Sequence, residues 1–198
     1  DMGLTCILLP VYVGFMVAHM LPNQFLFRPL CWLEAVTRYR VTICTAPNFA
    51  YEICTNRIAE EQRSQLNLSS WKVALNGAEP IRYETLNRFS EAFAGCGFKS
   101  TTIQPCYGLA EATLWVSGKP VQTEPLVGRF SKSDLERGLV VPLSQAETDA
   151  LPGTLPQRML VSNGRLADDF DIKIVNPRTG YDSPANEVGE IWIAGPSV

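Results

Sequence analysis

Apolar and polar positions follow two periods along this chain, and the pattern is clearest in its first 118 residues. "VTICTAP" (41–47) is β-branched and stops at a proline, which predicts a strand. Asn48 can then cap a helix that carries Ala50, Ile53, Cys54 and Ile58 on one face. "WKVALNGAEP" (71–80) places Trp71, Val73 and Leu75 on one side and breaks at Asn76–Gly77, so it reads as a second strand. Tyr83, Leu86, Phe89 and Phe93 recur at helical spacing after it and stop near Gly95. "KSTTIQP" (99–105) predicts a third strand, and "CYGLAEAT" (106–113) is read as the passage from that strand into a further helix. Upstream, "RPLCWLEAVTRY" predicts a helix with Leu30, Leu33, Ala35 and Val36 apolar. The first twenty residues predict a helix and then a buried strand, "VAHM".

Strands separated by helices of this length are normally parallel with right-handed crossovers, so 41–105 reads as βαβαβ. The loops after successive strands then emerge at one carboxyl edge, where open α/β sheets bind ligands. Those loops are "NGAE" (76–79) and "YGLAE" (107–111). After Gly118 the periodicity weakens, and Pro120, Pro125, Pro142, Pro152 and Pro156 punctuate the chain. Short strands follow in "RMLVS", "FDIKIVN" and "EVGEIWIAG", with "NPRTG" (176–180) as a turn. The expected fold is α/β: a βαβ-type, mostly parallel sheet with flanking helices in 1–118, followed by a small β-rich subdomain in 119–198.

Composition narrows the classes. Of 198 residues, 46% are hydrophobic and 19% charged, a balance that suits a packed core rather than disorder. The net charge of −3 comes without any Lys/Arg run, so nucleic acid is not an expected partner. No apolar run reaches the ~20 residues of a membrane span; "CILLPVYVGFMVA" is shorter and interrupted by Pro10 and Gly14. None of the six cysteines forms a C-x-x-C pair, which argues against zinc and a disulfide framework and for free thiols in a reducing cytoplasm. The sequence opens on Asp1 without a basic leader, and an excerpt of a longer protein is expected.

The two loops carry the candidate chemistry. Gly77 and Gly108 are expected to let the backbone turn sharply and approach a flat ligand. Tyr107 offers a stacking face for a base, and Glu111 a carboxylate for a divalent cation bridging phosphates. Each also has a plainer reading. Glu111 can charge a helix N-terminus, Tyr107 can be a half-buried core ring, and Glu79 before Pro80 can simply start a helix. His19, the single histidine, reads as structural, and Asp168, Asp169 and Asp171 as a solvated turn. The P-loop, the G-x-G-x-x-G fingerprint and the G-x-S-x-G elbow are all absent from the sequence.

"ALNGAEPIRYETLNRFSEAFAGCGF" followed by "QPCYGLAEATLWVSG" resembles the fatty acyl-AMP ligases of the adenylate-forming superfamily. "DMGL", "RPLCWLEAVTRYRVTICTAPNFAYEIC" and "GEIWIAGPSV" extend the likeness over nearly the whole chain. "PNFAYE" and "NGAEP" resemble the fatty acyl-AMP branch more than the wider superfamily, which also holds acyl-CoA synthetases and peptide-synthetase adenylation domains.

The resemblance implies that Asn76, Gly77, Ala78, Glu79 and Pro80 lie against one face of adenine and Tyr107 covers the other. Gly108, Leu109 and Ala110 would border the nucleotide, with Ala110 standing where the superfamily often has a phosphate-contacting Thr. Glu111 would be the Mg²⁺ carboxylate, and Met2 and Gly3 would lie near the acyl pocket. It further implies ATP as substrate, a fatty acid as the second, and an acyl carrier protein or polyketide synthase as acceptor of the acyl group. Residues from about 126 to 150 fall where the family carries an insertion thought to disfavour coenzyme A; a plain surface loop is the other reading. The phosphate loop, the ribose-binding aspartate and the C-terminal lysine of the family have no counterpart here, so these residues alone are expected to be inactive. An acyl-CoA synthetase or a peptide-synthetase adenylation domain is one alternative, and a non-catalytic module that kept a nucleotide or acyl pocket is the other.

Overall fold

The computed structural model describes residues 3–144 and 157–198. Three short strands, β1 (Ile43–Ala46), β2 (Val73–Asn76) and β3 (Ile103–Gly108), form a parallel sheet in that order. The crossovers carry α4 (Asn48–Arg57) and α6 (Tyr83–Phe93). The sheet continues with β4 (Trp115–Gly118), antiparallel to β3, and then with β7 (Arg165–Leu166) from the second half of the chain.

One core holds the first half together. α3 (Leu30–Tyr39) contributes Trp32, Leu33 and Val36, α4 gives Ala50, Tyr51 and Cys54, and α6 gives Leu86, Phe89 and Phe93. Trp71 is the hub: its ring meets Trp32 at 5.3 Å and Phe98 at 5.4 Å, both edge to face. Phe89 meets Tyr51 at 5.1 Å in the same manner. Such pairs add about 0.5–1.5 kcal/mol each beyond area burial, so this aromatic cluster fixes how α4 and α6 sit on the sheet. Leu86, Phe89 and Phe93 form the buried face as their spacing predicts, while the left-handed stop falls at Gly97 (φ 84°) rather than Gly95, after a 3₁₀ turn over Ala94–Cys96.

Two expectations are corrected. The chain does not enter a helix after Gly108: a single 3₁₀ turn, Ala110–Ala112, reverses it into β4. Nor is "VAHM" a buried strand. A π-helical turn over Leu4–Leu8 runs into α1 (Leu9–Val13), which Gly14 ends at φ 83°, and 15–21 is irregular and largely exposed. His19 is exposed there.

The short helices α2 (Pro22–Phe27) and α5 (Glu60–Arg63) flank α3 and α4 in the chain. In the second half, β5 (Val127–Ser131) pairs with β6 (Gln157–Val161), and β8 (Asp171–Val175) with β9 (Glu190–Ala194), both antiparallel. α7 (Lys132–Glu136) follows β5, so part of the expected irregular insertion is regular; its residues 145–150 lie outside the described residues. "NPRTG" is a turn as expected: Gly180 N–H donates to the Asn176 carbonyl at 2.9 Å with Gly180 at φ 72°.

Candidate functional site

β2 and β3 are hydrogen-bonded neighbours, so the loops that leave them share one edge. Their contact is tight. A Cβ on Gly77 would lie 2.9 Å from the Cys106 carbonyl oxygen and 3.0 Å from its Sγ, next to Tyr107. A Cβ on Gly108 would lie 1.8 Å from the Leu114 carbonyl oxygen. Neither glycine has a positive φ. They are glycines because a neighbouring backbone occupies the Cβ position, not because the chain turns there.

The turning is done by residues that resist it. Of the five non-glycine residues with left-handed φ among the described residues, two sit in these loops: Ala78 at 66° and Thr113 at 65°. Thr113 pairs that φ with a ψ of −51°, and Leu114 N–H donates to the Ala112 carbonyl at 2.8 Å. This is a γ-turn of the rare, strained hand, on a β-branched residue. Backbone strain of this kind costs of order 1–3 kcal/mol and concentrates at functional sites.

The γ-turn closes the hairpin that presents Glu111. Leu109 N–H donates to the Leu114 carbonyl at 3.0 Å, and a register shift at Tyr107/Gly108 bends β3 against β4. Glu111 is exposed, and its carboxylate takes part in no hydrogen bond or ion pair among the described residues. Glu111 lies in the first turn of the 3₁₀ turn Ala110–Ala112 without a capping hydrogen bond. Tyr107 is half-buried at the end of β3.

The other loop is held from outside. Glu79 Oε1 accepts from Phe49 N–H at 2.6 Å, in the first turn of α4, so the carboxylate serves a helix other than the one it precedes in sequence. Asn48 does not cap its own helix. Its Oδ1 accepts from Arg82 N–H at 3.2 Å, and its Nδ2 donates to Thr85 Oγ1 at 3.3 Å. Tyr51 donates its phenol hydrogen to the Leu75 carbonyl at 2.9 Å, and burial raises its pKa well above the usual phenol value. Asn76 is fully buried with both amide atoms unpartnered among the described residues, an expensive arrangement at the end of a strand. Its carbonyl accepts the Cys106 S–H at 3.4 Å, and burial pushes that thiol up to about 11.

The edge thus gathers Asn76, Gly77, Ala78, Glu79, Tyr107, Gly108, Leu109, Ala110 and Glu111 on two adjacent loops, with Pro80 continuing the first. Gly3 is exposed with nothing within 4 Å of its Cβ position, and Met2 lies outside the described residues. Sequence reasoning missed Asn48 as a loop anchor, Phe49, Tyr51, Thr85 and Thr113. The "PNFAYE" run was a visible signal for the first three; nothing in a threonine announces a left-handed φ. Asp168, Asp169 and Asp171 are exposed, and no group of three His, Cys, Asp or Glu side chains suited to a metal occurs among the described residues.

The sequence is 42% identical over 189 residues to the medium-chain-fatty-acid–[acyl-carrier-protein] ligase JamA of Moorena producens, covering 96% of this chain and 31% of that protein. The fold superposes on the fatty acid AMP ligase of Legionella pneumophila with a TM-score of 0.89 and 41% identity, covering 100% of this chain and 33% of that one. A fatty acyl-adenylate ligase of L. pneumophila in complex with acyl adenylate and pyrophosphate gives 0.88, at 41% identity and the same coverage. The chain therefore spans about a third of the length of the relatives it matches. Residues 1–198 match the AMP-binding enzymes throughout, and the chain belongs to that family.

Proposed function

We propose that this chain is the part of a fatty acyl-AMP ligase that grips the adenine and presents the metal carboxylate. The observation that carries the reading is the Gly77–Cys106 approach, which sets the 76–80 loop directly beside Tyr107. A planar purine would lie between the Tyr107 ring and the Gly77–Ala78 backbone, bordered by Asn76, Glu79, Pro80, Gly108, Leu109 and Ala110. In the whole enzyme a fatty acid carboxylate attacks the α-phosphorus of ATP and pyrophosphate leaves. The phosphopantetheine thiol of an acyl carrier protein, free or within a polyketide synthase, then attacks the acyl carbonyl and AMP leaves. The likeness to ligases named for fatty acids, acyl carrier protein and AMP supports this assignment.

Glu111 fits Mg²⁺: a lone, solvent-facing, acceptor-only carboxylate suits an ion that keeps several waters and takes its other ligands from phosphates. When bound there, the ion offsets the charge that develops on the phosphates. The tail would be read by an apolar slot near Met2 and Gly3, each buried CH₂ contributing about 0.8 kcal/mol. Cytoplasmic placement follows from the substrates; no helix among the described residues is long and apolar enough to cross a membrane.

The test uses a full-length ligase carrying this segment. With ATP, Mg²⁺ and fatty acids of graded length, pyrophosphate release should depend on the acid, and the acyl group should reach carrier protein in preference to coenzyme A. Tyr107→Ala should weaken binding of an acyl-sulfamoyl-adenosine. Unchanged binding by that variant would remove the purine assignment. The isolated 198 residues should release no pyrophosphate.

A further inference from the structure

The "PNFAYE" run begins at Pro47 and forms the first turn of α4, away from any of the nucleotide roles above. Every anchor it makes runs to the segment that carries the purine loop. Phe49 N–H reaches Glu79, Asn48 reaches Arg82 N–H and Thr85, and Tyr51 reaches the Leu75 carbonyl. These contacts bracket 77–80 on both sides. They hold it in a shape whose strained element is Ala78, left-handed without being glycine.

The Glu79 carboxylate is the member placed inside the loop itself. A carboxylate at a helix N-terminus is favoured twice, by the charge-assisted hydrogen bond and by the orphan N–H groups of the first turn. With one oxygen 2.6 Å from Phe49 N, the group is directed at the helix.

We propose that Glu79 is a positioning residue: its carboxylate locks the purine loop onto the first turn of α4, and its charge does not itself contact the nucleotide. This rests on the purine reading and gives "PNFAYE" a task, which is to set the loop's distance from Tyr107.

The experiment compares Glu79→Ala and Glu79→Gln in a full-length ligase, measuring KM for ATP and for fatty acid separately, with Tyr107→Ala alongside. Losing the accepting oxygen altogether should raise the ATP KM of Glu79→Ala by about tenfold. The fatty acid KM should stay within about twofold of the parent, because the proposed anchor acts on the loop assigned to the purine. A glutamine Oε1 can still accept from Phe49 N–H, so Glu79→Gln should recover to within about threefold of the parent ATP KM.

An ATP KM for Glu79→Gln as poor as that of Glu79→Ala would overturn the proposal, since an oxygen accepting from Phe49 N–H would then not be what steadies the loop. Equal rises in both KM values for Glu79→Ala would overturn it as well. If Glu79→Ala fails to fold, the Glu79→Gln result still decides. Normal ATP KM in Tyr107→Ala sinks the purine reading underneath; a normal Glu79→Ala beside an impaired Tyr107→Ala sinks this inference alone.

Discussion

Replacing Gly108 by alanine tests whether the hairpin that carries Glu111 is as tight as it is drawn. The new Cβ would fall 1.8 Å from the Leu114 carbonyl oxygen and 2.8 Å from its carbonyl carbon. Both atoms are backbone, so no rotamer change can clear them. Gly108 does not have a positive φ, so the penalty is steric and not conformational. The turn must open, and the Leu109 N–H to Leu114 bond at 3.0 Å is the first to go. Overpacking costs about 1–3 kcal/mol and the hydrogen bond about 1 more, for a total of roughly 2–4 kcal/mol. Urea denaturation of the parent and the variant reads that difference as a lower midpoint at unchanged slope. ATP binding should weaken together with stability, because Tyr107 and Glu111 flank the substituted residue. Gly95→Ala is the control: nothing lies within 4 Å of its Cβ position, and its φ is not positive. It should be neutral or stabilise by about 0.4–1 kcal/mol. A Gly108→Ala protein with the parent midpoint would refute the close approach and with it the geometry of the site.

Thr113→Gly should stabilise the hairpin by about 1 kcal/mol, the relief of a strained γ-turn less the extra chain entropy of glycine; a lower thermal midpoint would refute the strain. Lys119→Met should cost about 2–4 kcal/mol in chemical denaturation, because the buried ammonium donates to the carbonyls of Thr101, Pro120 and Thr123 and the variant strands those of Thr101 and Thr123, Pro120 keeping the Thr123 hydroxyl. An unchanged midpoint would show those carbonyls to be satisfied otherwise. Stability should fall as pH rises from 9 to 11: the folded chain holds the Cys106 proton up to about 11, whereas the unfolded chain releases it near 9.0, so the unfolded state binds fewer protons in that window. The half-buried thiol accounts for about 1–2 kcal/mol of the loss after discounting for exposure, and Cys106→Ala should flatten the curve by that amount.

The parallel core was legible because its signals are local and agree with one another. β-branched runs ending at Pro47 and at Asn76–Gly77, with Leu86, Phe89 and Phe93 at helical spacing between strands, leave few topologies once right-handed crossovers are required. Trp32 escaped because its burial depends on Trp71 and Tyr51, far away in sequence. The segment after α1 misled for the opposite reason. Residues 15–19 are apolar for the most part yet exposed, as are Tyr12 at 89% and Phe27 at 83%, so hydrophobicity there did not mean burial. β4 was hidden because a single 3₁₀ turn and a γ-turn have no periodicity to read.

The site was legible as a list of residues but not as a mechanism of holding them. Its glycines were visible, but the turning expected of them falls to Ala78 and Thr113, against their own preference, while the glycines make room for neighbouring backbone. Such strain persists only where neighbours over-determine the backbone. Here those neighbours come from elements thirty residues away, Phe49 to Glu79 on one loop, and from the β3–β4 ladder on the other. A one-dimensional reading sees a carboxylate before a proline and assigns it to the nearest helix. The folded chain assigns it to the preceding crossover, because parallel βαβ topology brings the start of α4 to the same edge as the end of β2. The same topology that makes the edge a candidate binding site also supplies the helix terminus that steadies it. Glu79 and the "PNFAYE" run therefore form one feature of that edge, and a substitution in either should be felt at the nucleotide.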